Sequence, residues 1–180
     1  MKTLPDYLRD GLDIVSIGLN PSLYSVDAGY YFARPQNRFW KAFIASELVP
    51  EALVPSKDAV EKLFQDYRIG FTDVVKRPSA GAAQLKTQDF QEWVPLLRDK
   101  LLACRPLIAW FHGKLAYRNY LLHAEAIEGT IPWGEQERHL GGSRVFVSPN
   151  PSSANAAISL QEIMASYQAL KALRDRLRAQ

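Results

Sequence analysis

The sequence predicts an α/β fold: a three-layer sandwich with a central, mainly parallel sheet of four to five strands flanked by helices. Short β-branched or aromatic runs alternate with longer helical patterns along the whole chain. Most of the short runs are apolar throughout rather than at every second residue, as in strands buried on both faces of a parallel sheet. Strand–helix alternation of this kind implies right-handed βαβ units, which place helices on both sides of the sheet.

The first strand is residues 13–18 (DIVSIG), and a helical pattern over 37–48 follows it after an aromatic loop. A Pro-flanked connection at 51–55 leads to a second helical pattern over 57–67, and then to a strand at 69–75 (IGFTDVV). The third helical pattern, 87–103, contains Pro95, which removes a backbone donor and predicts a restart or a kink. Residues 106–112 (PLIAWFH) form the third strand and 114–122 the helix after it. Residues 129–142 read as a polar loop or hairpin around Trp133 and Gly134, ahead of a fourth strand at Arg144–Ser148 (RVFVS). The last helix, Leu160–Arg178, aligns Ile163, Met164, Tyr167, Leu170, Leu173 and Leu177 on one stripe. Its Arg174, Arg176 and Arg178 complement the helix dipole at a solvated end. No repeat, low-complexity tract or linker divides the chain, so residues 1–180 are expected to form one domain.

Composition narrows the possibilities. With 47% hydrophobic and 23% charged residues the chain has the make-up of a soluble globular protein. No run approaches the roughly 18 apolar residues of a membrane span, so no membrane partner is expected. The N-terminus, with Pro5 and Asp6, carries no secretory apolar region, which predicts an intracellular location, in the cytoplasm or on the nucleoid. The single cysteine, Cys104, excludes an internal disulfide, a four-cysteine zinc site and a cysteine-ligated iron–sulfur cluster. It reads as a packed core thiol. His123 and His139 have no ligand spacing between them, and no metal is expected. A net charge of +3 permits a nucleic-acid partner without demanding one.

In an open parallel sheet, ligands bind beyond the carboxyl ends of the strands. Four segments fall there: Gly18 to Ser22 with the aromatic stretch 30–40, then 72–78, then His112 to Lys114, then 148–155. The first has neither the Gly-x-Gly-x-x-Gly spacing of a dinucleotide site nor a P-loop. It offers Asn20, a carboxamide held before Pro21, which either orients a water molecule or closes an Asx-type turn. His112 ends the third strand and is either a structural histidine or a substrate contact. Windows 28–46, 74–88 and 138–161 together hold eight basic and no acidic residues. They would set a positive face where the ligand binds, as a polyanion requires.

Gly18-Leu19-Asn20-Pro21-Ser22, then Phe32-Ala33-x-Pro35-x-Asn37-Arg38-Phe39-Trp40, and later Asn150-Pro151-Ser152, resemble the mismatch-specific uracil/thymine DNA glycosylases of the uracil-DNA glycosylase superfamily. Asp66-Tyr67-Arg68-x-Gly70-x-Thr72 and Gly113-Lys114-x-Ala116-Tyr117 extend the likeness over most of the chain. The resemblance implies a parallel sheet between helices, a monomer, and cofactor-free cleavage of the N-glycosidic bond of a flipped pyrimidine. The substrate it implies is uracil, thymine or a related damaged pyrimidine in mismatched double-stranded DNA or in single strands. By the same likeness Asn20 positions the attacking water, Phe32 stacks on the extruded base, and Leu19, Ser22 and Asn150 contact it. DNA contacts are expected from Arg34, Arg38, Lys76 and Arg77, and from the loop Pro151, Ser152, Ser153, Ala154 and Asn155.

The chain departs from that family at three positions. Ala154 stands in a loop where family members often carry a bulky wedge, and a methyl fills far less of a vacated stack. Ser22 replaces a glycine and is expected to narrow the pocket. Asp73 replaces a lysine or asparagine at the end of the second strand. It is either a general base beside Asn20 or the ion-pair partner of Lys76 or Arg77. A binding domain for nucleotides or DNA lesions that cleaves nothing is the alternative reading of the same sheet and basic face.

Overall fold

The computed structural model describes residues 1–180. Five strands, β1 (Ile14–Gly18), β2 (Ile69–Asp73), β3 (Ile108–His112), β4 (Gly134–Glu135) and β5 (Arg144–Ser148), lie in the order β2-β1-β3-β5-β4. β1 pairs in parallel with β2 and β3, and β3 with β5, while the short β4 runs antiparallel to β5 at the edge. Around them stand α1 (Leu23–Ala28), α2 (Phe39–Ala45), α3 (Lys57–Asp66), α4 (Thr87–Cys104), α5 (Lys114–Glu125) and α6 (Leu160–Arg178). This is the α/β sandwich that the alternation predicts.

Every residue of β1, β2 and β3 is buried, and successive side chains divide between two cores. Ile14, Phe71, Trp110 and Phe146 pack on one face with residues of α2, α3 and α6. Val15, Ile17, Phe111 and Val145 pack on the other with residues of α4 and α5, Cys104 among them. Continuous apolar strands therefore supply a core on each side, which alternating strands could not do. The N-terminal segment adds to the β2 edge: Tyr7 N–H donates to the Phe71 carbonyl (2.9 Å) and Phe71 N–H to the Tyr7 carbonyl (3.1 Å). Only glycine admits this approach at position 70, because a Cβ there would lie 2.3 Å from the Tyr7 carbonyl oxygen.

The elements differ from expectation at their ends and at one proline. β2 stops at Asp73, and the first long helical pattern shortens to α2, whose first turn is fixed by Asn37 Oδ1 accepting from Phe39 N–H (2.9 Å). α4 runs unbroken from Thr87 to Cys104 with Pro95 inside it, so the expected restart does not occur. Phe90, Val94, Leu97, Leu101 and Cys104 bury one side of α4, while Pro95 and Gln91 face solvent, so the carbonyl that the proline leaves unpaired reaches water. Two short elements carry too little periodicity to be read from sequence: α1, capped by Ser22 and ended by Gly29 at φ 85°, and β4. No helix is long and apolar enough to cross a membrane.

Candidate active site

The carboxyl ends of β1, β2, β3 and β5 open into one cleft of about 600 Å³, bordered by Asn20, Phe32, Asp73, His112 and Asn150. The four strand-end segments singled out by sequence thus meet at one place. The loop after β1 is fastened to the chain after β2: Val74 N–H donates to the Gly18 carbonyl (2.8 Å), Val75 N–H to that of Leu19 (2.9 Å), and Ser79 N–H to that of Pro21 (3.1 Å). Asn20 sits on this seam. Its Nδ2 donates to the Arg77 carbonyl (2.9 Å) and to Ser79 Oγ (2.8 Å). Ser79 Oγ donates onward to the Gly81 carbonyl (2.9 Å), so it accepts from Asn20 and fixes which way the amide points. Oδ1 closes no Asx turn and is left as a free acceptor on a residue that borders the cleft.

Asp73 closes the β2 side. Registered against Gly18, it needs the missing side chain there, since a Cβ on Gly18 would fall 2.7 Å from Asp73 Oδ1. The carboxyl is buried, and burial raises it to about 6 against the pull of Lys76. Lys76 Nζ lies 3.5 Å from Asp73, 2.9 Å from Asp6 and 3.0 Å from the Tyr31 hydroxyl. Asp6 also accepts from Thr72 Oγ1 (2.7 Å) and Lys100 (2.7 Å). Asp73 thus pairs with Lys76, not Arg77, and it also borders the cleft.

Phe32 has its backbone in the left-handed region at φ 58°, uncommon for a bulky residue. Neighbours hold it there, with Ala33 N–H donating to Ser25 Oγ (3.1 Å) and Trp40 Nε1 to the Tyr31 carbonyl (3.1 Å). The ring stacks on Phe39 at 4.1 Å between centroids and meets His112 edge-on at 5.1 Å, a backed aromatic surface at the cleft. His112 is buried, its Nε2 2.8 Å from Ser16 Oγ and its Nδ1 without a partner. Burial lowers it to about 3, so the imidazole is neutral. It is thus both structural and within the cleft wall.

Leu19 and Asn150 border the cleft. Ser22 does too, but its hydroxyl accepts from Ser25 N–H (3.0 Å), so it serves as the N-cap of α1. Asn150 Oδ1 accepts from Ser152 N–H (3.0 Å), and Asn155 Nδ2 donates to the Asn150 carbonyl (3.1 Å). Pro151 is buried beneath this loop, whose exposed tip is Ser153 and Ala154.

Three expected DNA contacts are corrected. Arg38 donates to the carbonyls of Ser152 (3.0 Å), Asn155 (2.9 Å) and Ile158, so it pins the loop from within. Lys76 is 5% exposed and enclosed by carboxylates and a phenol, out of reach of phosphate. Arg77 makes a two-pronged contact with Asp89 (2.6 and 2.7 Å), which holds that carboxyl down at about 2 and neutralises the arginine. Arg34 alone of the four remains at the rim, beside the exposed Tyr24 ring. Sequence reasoning missed Ser79 and Trp133 at the cleft, and gave no role to Lys114 within a segment that it did place there. Ser79 carried no signal, whereas Lys114 stands next to His112-Gly113 and was within view.

The α/β sandwich thus gathers a carboxamide, a buried carboxylate and a backed aromatic at the strand ends, where an open parallel sheet binds its ligand. A sequence model of the uracil DNA glycosylase superfamily matches residues 5–175, and the chain belongs to that superfamily. Among solved structures it is similar to a candidate uracil DNA glycosylase from Methanosarcina acetivorans determined by solution NMR. The two share 21% identity over 94% of this chain and 98% of the other, with a TM-score of 0.60, a likeness of fold.

Proposed function

We propose that this chain is a monofunctional glycosylase that hydrolyses the N-glycosidic bond of uracil, and of related damaged pyrimidines, flipped out of mispaired DNA, and leaves an abasic site. It acts as a monomer inside the cell and without a cofactor. The observation that carries the reading is the meeting, in one cleft, of the free Asn20 Oδ1, the buried Asp73 carboxyl and the Phe32 ring on its Phe39 backing.

Breaking the bond places positive charge on the sugar and negative charge on the departing base. Phe32 receives the base once it leaves the stack, a step that costs a few kcal/mol and less at a mispair. Asn20 Oδ1 accepts a hydrogen bond from water and aligns it, but an amide takes up no proton. Asp73 supplies what Asn20 lacks: as an anion it faces the cationic sugar and accepts the proton of the attacking water. Its ordinary carboxylate range would make it a poor base; burial moves it to about 6. Ala154 at the loop tip offers little to fill the vacated stack, which supports a relaxed choice of opposite base.

The test is excision from U:G and U:A duplexes. Asp73→Asn, nearly equal in size, is expected to lose about 10²- to 10⁴-fold in turnover, and Asn20→Ala to lose activity as well. Unchanged turnover in Asp73→Asn removes the carboxylate from the mechanism. Binding of lesion duplex with no base released by the unsubstituted protein would favour a sensor over an enzyme.

A further inference from the structure

Two cation–aromatic pairs stand on the rim of the cleft and do nothing in the chemistry above. Lys114, the first residue of α5, places Nζ 4.4 Å from the centre of the Trp133 ring, just before β4. Arg34, after β1, places its guanidinium carbon 5.9 Å from the ring of Tyr24 on α1. Trp133 is 47% exposed and Tyr24 45%, although large aromatics are normally covered. Lys114, Arg34 and Trp133 border the cleft itself. Neither cation pairs with a carboxylate, whereas Arg77, in the chain after β2, is matched by Asp89. A flat ring with a free cation beside it offers one surface to a base and one charge to a phosphate.

With the cleft taken as the uracil site proposed above, we propose that Trp133–Lys114 and Tyr24–Arg34 form a track for single-stranded DNA, stacking nucleotides that flank the excised one. Duplex DNA cannot use such platforms, because bases beside the flipped nucleotide stay paired and stacked within the helix. A strand without a partner leaves their faces open. The loop tip points the same way: Ser153 and Ala154 cannot hold a duplex apart as a bulky wedge does, and a single strand needs no wedge. The track thus makes unpaired DNA a favoured substrate of this site.

Binding separates this from the catalytic reading. A short, labelled, uracil-free single strand and the corresponding paired duplex are titrated by fluorescence anisotropy with the unsubstituted chain and with Trp133→Ala, Tyr24→Ala and Trp133→Phe. One lost stack corresponds to roughly 5- to 150-fold in affinity. Each alanine variant is expected to weaken single-strand binding about tenfold more than duplex binding, with Trp133→Phe close to the unsubstituted chain. Equal losses on both DNAs, which a merely structural tryptophan would give, overturn the track, and so does no loss on either. Uracil release measured alongside keeps the two readings apart. A chain that binds single strands through Trp133 but excises nothing refutes the catalytic reading alone. One that excises uracil with unaltered strand binding in both alanine variants refutes the track alone.

Discussion

Asp73 works at the edge of its titration range, and the residues around it set where that edge lies. Burial raises its carboxyl to about 6, Lys76 draws it down, and the Asp6 carboxylate pushes it up. Asp6 is itself raised by burial but held low overall by Lys76 and Lys100. A base must be ionised to act, so kcat/KM on uracil DNA is expected to fall as pH drops through about 6. Asp6→Asn removes the anion that raises Asp73 and leaves Lys76 to pair with Asp73 alone, so the acid limb of the pH–rate profile moves to lower pH. A limb that stays in place, or moves upward, shows that Asp73 does not set it. His112 leaves this limb alone, because burial holds it at about 3 and it carries no charge change near 6. At this scale the sequence showed which residues stand at the strand ends, Asn20, Phe32 and Asp73 among them. It could not show that Lys76 is buried, because a lysine that neutralises two carboxylates and one that waits for phosphate look alike in a chain of letters. Asp6, 67 residues before Asp73, was invisible for a similar reason: contacts made only in the fold, the Tyr7–Phe71 bridge among them, bring the N-terminal segment to β2.

Elements were legible where apolar periodicity ran long, as in α6 and the four principal strands, and obscure where a few local contacts decide the shape. The segment from Asn150 to Ile158 is the clearest instance. It has no regular structure, yet Arg38 at the start of α2 binds three of its carbonyls with its side chain, and the backbone N–H of Arg38 donates to the Pro151 carbonyl (3.0 Å). The loop is thereby held rigidly at the cleft instead of sweeping solvent. Arg38→Ala leaves those carbonyls to find water, and each unsatisfied buried group costs about 1–3 kcal/mol. The variant is expected to lose a few kcal/mol of stability and to exchange the amides of 152–158 faster, with KM for DNA rising more than kcat falls. Arg38→Lys should recover little, since one ammonium cannot span three acceptors fixed by a planar fork. Thermal melting with hydrogen exchange reads the outcome; protected loop amides in Arg38→Ala would show that the loop stands without its pin. The same contacts explain why Arg38 reads from sequence as a DNA residue and acts in the fold as a brace.

Over the whole molecule, the charge that a nucleic acid meets is smaller than the basic windows suggest. Of their eight cations, Lys76, Arg77, Arg138 and Arg144 pair with carboxylates, and Arg38 with carbonyls. Acid-free stretches of sequence do not make acid-free surfaces, because Asp89, Glu125 and Glu135 fold in from outside those stretches. At the cleft rim the cations left unpaired are Arg34 and Lys114, the second from outside the windows altogether. Each phosphate neutralised adds about 0.7 to 0.9 to the slope of log affinity against log salt. Two contacts give a slope of about −1.4 to −1.8, so raising salt from about 50 to 200 mM should weaken binding only about tenfold. Arg34→Ala and Lys114→Ala should each flatten the slope by nearly one phosphate, whereas Arg77→Ala, whose charge is already matched by Asp89, should leave it unchanged. A slope steeper than about −4 would require cations beyond the rim. The shallow dependence follows from a site that holds its substrate by stacking and by buried groups: salt screens the approach to phosphate but leaves Phe32, Trp133 and the enclosed Asp73 nearly untouched.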